Sequence, residues 1–124
     1  MSKKILITIG KNKIEAQLMD TPTARNIKDA LPFGCKAQAL AGQVIIETPV
    51  MAETEDDARA VVKAGELAFW ADTSTIAIGY AKTPDSKGDE IRLATRGNIW
   101  AHSVTDVTLL KAVKTDDFVF IESI

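Results

Sequence analysis

The segment Gly65–Pro84 constrains the fold of this chain more than any other stretch of the sequence. β-Branched and aromatic residues lie on both sides of the polar triplet Asp72-Thr73-Ser74, which predicts a hairpin of two strands, Glu66–Ala71 and Thr75–Lys82. One face of the second strand carries only small residues: Ala77, Gly79 and Ala81. A face of this kind lets another backbone or a ligand come close. The hairpin therefore predicts a curved, closed sheet.

Apolar residues in strand patterns continue along the rest of the chain. The predicted strands are Lys4–Ile9, Lys13–Met19, Cys35–Leu40, Gln43–Thr48, Glu90–Ala94, Asn98–Ser103 and Phe118–Glu122. The alternation in the first strand places Ile5, Ile7 and Ile9 on the inward face. The uninterrupted run Val44-Ile45-Ile46 predicts burial on both faces of its strand. Ala58–Val62 fits either a turn of helix or a short strand.

Two segments have helix signals. Thr21 is the expected N-cap of the first helix, Pro22 fits its first position, and Pro32 ends it. The pair Thr105-Asp106 caps a second, shorter helix. The acidic stretch Met51–Asp57 is predicted to be a solvated loop, with a cation site as the functional alternative. Many strands with helices in two gaps predict a mainly β fold, a closed eight-stranded barrel with one or two short helices at its ends.

The overall composition narrows the classes of function. A length of 124 residues with 46% hydrophobic residues predicts one globular domain, 1–124. The net charge of −2, without a basic stripe, argues against nucleic acid or a membrane as partner. The first ten residues lack the long apolar core of a signal peptide, so a cytoplasmic location is expected. Cys35 is the only cysteine, so we expect no intramolecular disulfide and no thiolate metal cluster. The one His, one Cys and scattered carboxylates show no metal-ligand spacing, and neither a metal nor a cofactor is expected.

Aromatic residues on three predicted strands are the best candidates for a binding site. Large rings with a polar handle suit a ligand cleft, and neighbouring strands supply possible hydrogen-bonding groups. The predicted ligand-binding residues are Thr48, Trp70, Tyr80, Asn98, Trp100 and His102. The alternative is that the rings serve core or rim packing.

Catalytic patterns are weak. Arg92 is the arginine best placed to donate to a prolyl nitrogen, as cis/trans isomerisation of a peptide bond would require. The alternative role for Arg92 is an ion pair with a carboxylate such as Glu90. Hydrolysis would need His102 beside Ser103 or Ser74, but adjacent strand residues point to opposite faces, so His102 and Ser103 do not form a nucleophile–base pair.

Five groups of residues, spread over nearly the whole chain, form a pattern found in a known family. They are Thr21-Pro22-Thr23-Ala24 with Ala30-Leu31-Pro32, Gly42–Val50, Val62–Trp70, Thr83-Pro84, and Glu90-Ile91-Arg92. In order and spacing they resemble the small prokaryotic cyclophilin-like family. The resemblance implies an eight-stranded barrel of cyclophilin type with helices capping its ends. The family itself is largely uncharacterised.

True cyclophilins carry an arginine in a Phe-His-Arg context and a Gln-Gly-Gly-Asp run beside the proline pocket. Neither run exists here, since His102 is flanked by Ala101 and Ser103. Closer relatives commonly have prolines and a glycine after the tryptophan that matches Trp70, where this chain has Ala71-Asp72-Thr73-Ser74. The resemblance therefore implies the fold without the usual isomerase residues.

These observations predict a cyclophilin-like binding module for a small molecule or an extended peptide. A weak, atypical peptidyl-prolyl isomerase that uses Arg92 is the first alternative. The second is a structural protein that forms a homodimer, because small barrels often associate.

Overall fold

The structure, a computed structural model, describes residues 3–124. Within this range the chain forms nine strands, one α-helix and one 3₁₀ helix. The strands are β1 (Lys4–Ile9), β2 (Asn12–Leu18), β3 (Phe33–Leu40), β4 (Gln43–Glu47), β5 (Arg59–Val62), β6 (Glu66–Trp70), β7 (Thr75–Gly79), β8 (Ile91–Ser103) and β9 (Phe118–Ser123). The helices are α1 (Pro22–Ala30) and the 3₁₀ helix Val107–Ala112.

Eight of these strands form a closed ring. Their order is β2, β1, β9, β3, β4, β7, β6 and β8, and β8 pairs back onto β2 through Ala16 opposite Ser103. All of these pairings are antiparallel. The predicted mainly β fold with a closed sheet of eight strands and short helices is therefore confirmed.

The interior of the ring is filled by alternate residues of the strands. Ile5, Ile7 and Ile9 are fully buried, as the alternation in β1 predicts. Ile76 and Ile78 of β7 join the same core, and Ala24 and Ile27 of α1 pack onto it. Burial of this many branched side chains supplies the main stabilising term, since each contributes about 1.5–3 kcal/mol.

A second, smaller apolar layer lies outside the ring and is called here the outer layer. It is formed where β5 and the first half of β8 cover the outward face of β7, with Val62, Ala68, Ala77, Leu93 and Ile99 buried together. Gly79 is required there because a Cβ atom would lie 2.5 Å from Cγ2 of Ile91. The close approach predicted for the small-residue face thus occurs, and a strand of the same chain makes it.

Strand β8 differs from the sequence prediction. Glu90–Ala94 and Asn98–Ser103 were expected as two strands separated by a turn at Arg96-Gly97, but residues 91–103 form one continuous strand. The register of the pairing with β5 shifts between Arg92 and Gly97, and that of the pairing with β6 shifts between Ile99 and Ala101. The segment Ala58–Val62, which fits either a turn of helix or a strand by sequence, contains β5. This strand lies outside the ring of eight and pairs with the first half of β8.

The helix signals are confirmed. The Thr21 hydroxyl accepts a hydrogen bond of 3.1 Å from the Ala24 N–H, and Pro22 begins α1. The Asp106 carboxylate accepts from the Thr108 N–H at 3.0 Å and caps the 3₁₀ helix. In the described part of the chain, neither helix has the length and apolar character needed to cross a membrane.

Candidate functional site

A surface cleft of about 390 Å³ lies where β6 turns into β7, and is called here the Trp70 cleft. Its main lining residues are Thr54, Trp70, Asp72, Thr73, Thr95 and Arg96. Trp70 is half-buried and forms the aromatic wall. Its indole Nε1 donates to the carbonyl oxygen of Thr95 at 3.1 Å, which fixes the ring against β8.

Gly97 allows β8 to reach the tryptophan. A Cβ atom at this position would lie 3.1 Å from Cδ1 of Trp70 and 3.1 Å from the carbonyl oxygen of Phe69. Contacts this short leave little room for any larger residue. Arg96-Gly97 was expected as a turn, but both residues lie within β8. The close approach at Gly97 brings Thr95 and Arg96 to the cleft.

Asn98 holds the loop that supplies Thr54 to the cleft. Its Oδ1 accepts from the Glu55 N–H at 2.8 Å, and its Nδ2 donates to the carbonyl oxygen of Glu53 at 2.8 Å. The same Nδ2 lies 2.8 Å from the hydroxyl of Thr23, in α1. Asn98 is only 1% exposed, so its amide acts on the neighbouring backbone and positions the cleft.

The acidic loop Met51–Asp57 is largely exposed, as predicted, but one of its carboxylates is tied to α1. Glu55 is half-buried, and its carboxylate accepts from the N–H of Thr23 at 3.1 Å and from the Thr23 hydroxyl. These bonds tie the loop to the start of α1. Among residues 3–124, no three His, Cys, Asp or Glu side chains come together as metal ligands would.

Three of the other predicted site residues have structural contacts. The Thr48 hydroxyl donates to the carbonyl oxygen of Ser74 at 2.9 Å and accepts from the Val50 N–H at 3.1 Å. Tyr80 is half-buried and packs on the inner core. Trp100 is fully buried inside the ring, so the structure does not bring it to the Trp70 cleft. Within the described residues its indole N–H has no hydrogen-bond partner.

His102 belongs to a separate charged cluster on the outside of β6 and β8. The Glu66 carboxylate binds the Arg59 guanidinium through bonds of 2.7 and 2.5 Å and accepts from the Lys63 N–H at 2.7 Å. The Nε2 atom of His102 lies 3.7 Å from Glu66. Ser103 donates its hydroxyl to the carbonyl oxygen of Thr105 instead of meeting His102.

The Glu66 side chain is only 9% exposed, yet it stays ionised. The hydrogen-bonded Arg59 guanidinium is the main reason, and it holds the pKa of Glu66 at about 2, against an ordinary value of 4.5. Burial acts in the opposite direction and is outweighed. This ion pair locks β5 to β6.

Arg92 makes the ion pair that the sequence offers as its alternative role. Its Nε lies 2.6 Å from one Glu90 oxygen, and a terminal nitrogen lies 3.4 Å from the other. The guanidinium also lowers the pKa of Glu90. Cys35 is half-buried, and burial raises the pKa of its thiol to about 11, so it is a poor nucleophile at neutral pH.

Of the six predicted ligand-binding residues, Trp70 lines the Trp70 cleft and Asn98 positions one of its loops. Thr54, Thr95 and Arg96 were missed by sequence reasoning. The acidic composition around Thr54 is typical of a solvated loop, and the glycine after Arg96 is typical of a turn. The one usable signal was Gly97 beside a strand, because such a glycine also marks close backbone approach.

Comparisons with known proteins agree with this fold. A model of the cyclophilin-like family matches residues 3–122. Among solved structures, the chain is similar to a hypothetical protein of Archaeoglobus fulgidus determined in solution, with 28% sequence identity, a TM-score of 0.83, and coverage of 98% of this chain and 94% of that one. A search of curated proteins finds no match. The chain therefore belongs to the cyclophilin-like family.

Proposed function

We propose that the protein is a binding module, and that its ligand, a small molecule or an extended peptide, occupies the Trp70 cleft. The observation that carries the proposal is the half-buried indole of Trp70, held in place by its bond to Thr95. A fixed aromatic surface binds flat or ring-shaped groups at little cost in side-chain entropy. The cleft volume of about 390 Å³ lies within the range typical of ligand pockets.

The polar rim of the cleft supports a ligand with both apolar and charged parts. The hydroxyl-bearing residues Thr54, Thr73 and Thr95 and the exposed charges of Asp72 and Arg96 surround the indole. A ring stacked on Trp70 would leave its polar groups within reach of this rim. Proline rings meet the same requirement, since aromatic grooves recognise proline-rich peptides in extended conformation.

A screen of small ring-bearing molecules and proline-containing peptides tests this proposal by NMR. The chain has two tryptophans, so two indole N–H signals are expected, and the Trp70→Phe variant assigns them. A ligand of the cleft should shift the Trp70 signal and leave that of the buried Trp100 in place.

The Trp70→Ala variant should weaken binding of such a ligand by about tenfold or more, as expected for a central aromatic anchor. Phe118→Ala is the matched control, because Phe118 is 61% exposed and lies on β9, away from the cleft. A ligand whose Kd is the same for wild type and Trp70→Ala would contradict the assignment of the site.

Weak peptidyl-prolyl isomerase activity is the second candidate. It is favoured by one observation: Arg96 brings a guanidinium to the rim of an aromatic cleft, whereas Arg92 is engaged by Glu90. A coupled proline-isomerisation assay of wild type, Arg92→Ala and Arg96→Ala distinguishes the cases. Loss of activity in one arginine variant alone would identify the donor, and a wild type without activity would leave binding as the function.

A further inference from the structure

A second pocket, of about 340 Å³, lies between α1 and the ends of β1 and β2, and is called here the basic pocket. Leu18, Met19 and Ala24 give it an apolar surface. Three cationic side chains also line it, from Lys3, Arg25 and Lys28, with Asp20 as the single acidic one. The lining therefore has a formal charge of +2 in a chain whose net charge is −2.

The charges in this pocket are not balanced by the protein. Asp20 forms an ion pair with Arg25, whose Nη1 lies 2.7 Å from the Asp20 carboxylate. Within residues 3–124, neither Lys3 nor Lys28 forms an ion pair with a carboxylate. Two ammonium groups thus remain to bind an anion.

Lys3 and Lys28 line the same pocket, so their positive charges act on one another. Lys3 is close enough to lower the pKa of Lys28, because each positive charge opposes the other. Asp29 acts in the opposite direction and is outweighed. The electrostatic repulsion between like charges at the rim of a cavity falls when an anion binds between them.

We propose that the basic pocket binds a small molecule that carries a phosphate monoester, with the phosphate between Lys3 and Lys28 and the apolar part against Leu18 and Met19. A phosphate monoester carries close to two negative charges at neutral pH, which matches the two unpaired lysines. Its three oxygens accept hydrogen bonds from both ammonium groups at once. A carboxylate supplies only half of this charge.

Titration with phenyl phosphate, followed by amide NMR shifts and by calorimetry, tests the proposal. The shifts should map to the residues around Leu18, Met19 and α1. In the Lys3→Gln/Lys28→Gln variant the Kd should rise by about tenfold or more, because two charge-assisted hydrogen bonds are lost. Asp20→Asn, which removes the only carboxylate of the pocket, should tighten binding by about twofold.

Lys13→Gln/Lys36→Gln is the matched control. It removes the same charge at exposed sites near the opposite end of β1 and β2, and it should leave the Kd within about twofold. Circular dichroism establishes that the three variants are folded. Failure of wild type to bind phenyl phosphate, an equal loss in both double variants, or equally tight binding of benzoate would each overturn the proposal.

Discussion

The side chain of Asn98 connects three parts of the chain that are far apart in sequence. Its amide bonds Thr23 at the start of α1 and the backbone on both sides of Thr54, from a position in the middle of β8. All three bonds measure 2.8 Å, and the Asn98 side chain that makes them is shielded from water. Buried amides that satisfy this many partners contribute to stability chiefly because their removal leaves the partners unpaired.

Replacement of Asn98 by alanine should therefore lower the free energy of unfolding by about 2–4 kcal/mol. It should also weaken any ligand of the Trp70 cleft, because Thr54 is released. Urea unfolding measures the first effect. The control is Asn26→Ala, since Asn26 bonds the same loop through the carbonyl oxygen of Met51 but is exposed, and its loss should cost about 0.5 kcal/mol or less. Equal losses in the two variants would show that the network does not stabilise the fold.

Glu66 predicts how stability changes with acid. Because Arg59 depresses the pKa of Glu66 in the folded state, this carboxylate stabilises the fold above pH 4.5, and its contribution is lost as the pH falls from 4.5 to about 2. Arg59 is 44% exposed, so solvent screens the pair, and we expect a contribution of about 1–3 kcal/mol at pH 7.

Unfolding of wild type and Glu66→Gln between pH 7 and pH 2 checks this expectation. The variant should be less stable at pH 7, and the difference between the two should shrink towards zero at about pH 2. Glu47→Gln removes an exposed carboxylate and provides the comparison for net charge. A difference that stays constant over the whole pH range would rule out the ion pair as its cause.

At the scale of elements, the two halves of β8 pair with different strands. Its second half closes the ring against β2 and β6, and its first half leaves the ring to form the outer layer with β5. The packing between this first half and β7 depends on Gly79, above which Ile91 and Leu93 lie.

Gly79→Ala should destabilise the protein by about 1–3 kcal/mol, because its Cβ would overlap the branched side chain of Ile91. A double-mutant cycle with Ile91→Ala tests this cause by urea unfolding. If the overlap is the reason, the alanine at position 79 should cost less when residue 91 is also alanine. Purely additive effects would argue against it.

At the scale of the whole molecule, the candidate site is assembled from segments that are distant in sequence. The Trp70 cleft takes residues from the acidic loop, from the turn between β6 and β7, and from β8. The basic pocket in turn joins Lys3, before β1, to α1. Neither site can be read from a single segment, because each is built from side chains distant in sequence.

Sequence reasoning found most of the elements but only part of the site. Alternating isoleucines identified β1, the Thr21-Pro22 pair identified α1, and the small residues of β7 indicated a close approach. These signals are local, and local sterics and hydrogen bonding produce them. The long strand β8 was divided in two, because a glycine beside Arg96 satisfies the local rules for a turn as well as those for close packing.

The sequence by itself determined most of the strands, both helices, and that their apolar faces need a closed sheet. Only the tertiary structure decided that Trp100 fills the core while Trp70 faces a cleft, since both are aromatic residues on strands and burial depends on which strands pair. The tertiary structure also decided that Asn98 is buried and His102 is exposed, although both lie on β8. Pairing between distant strands fixes these positions, and no local pattern encodes it.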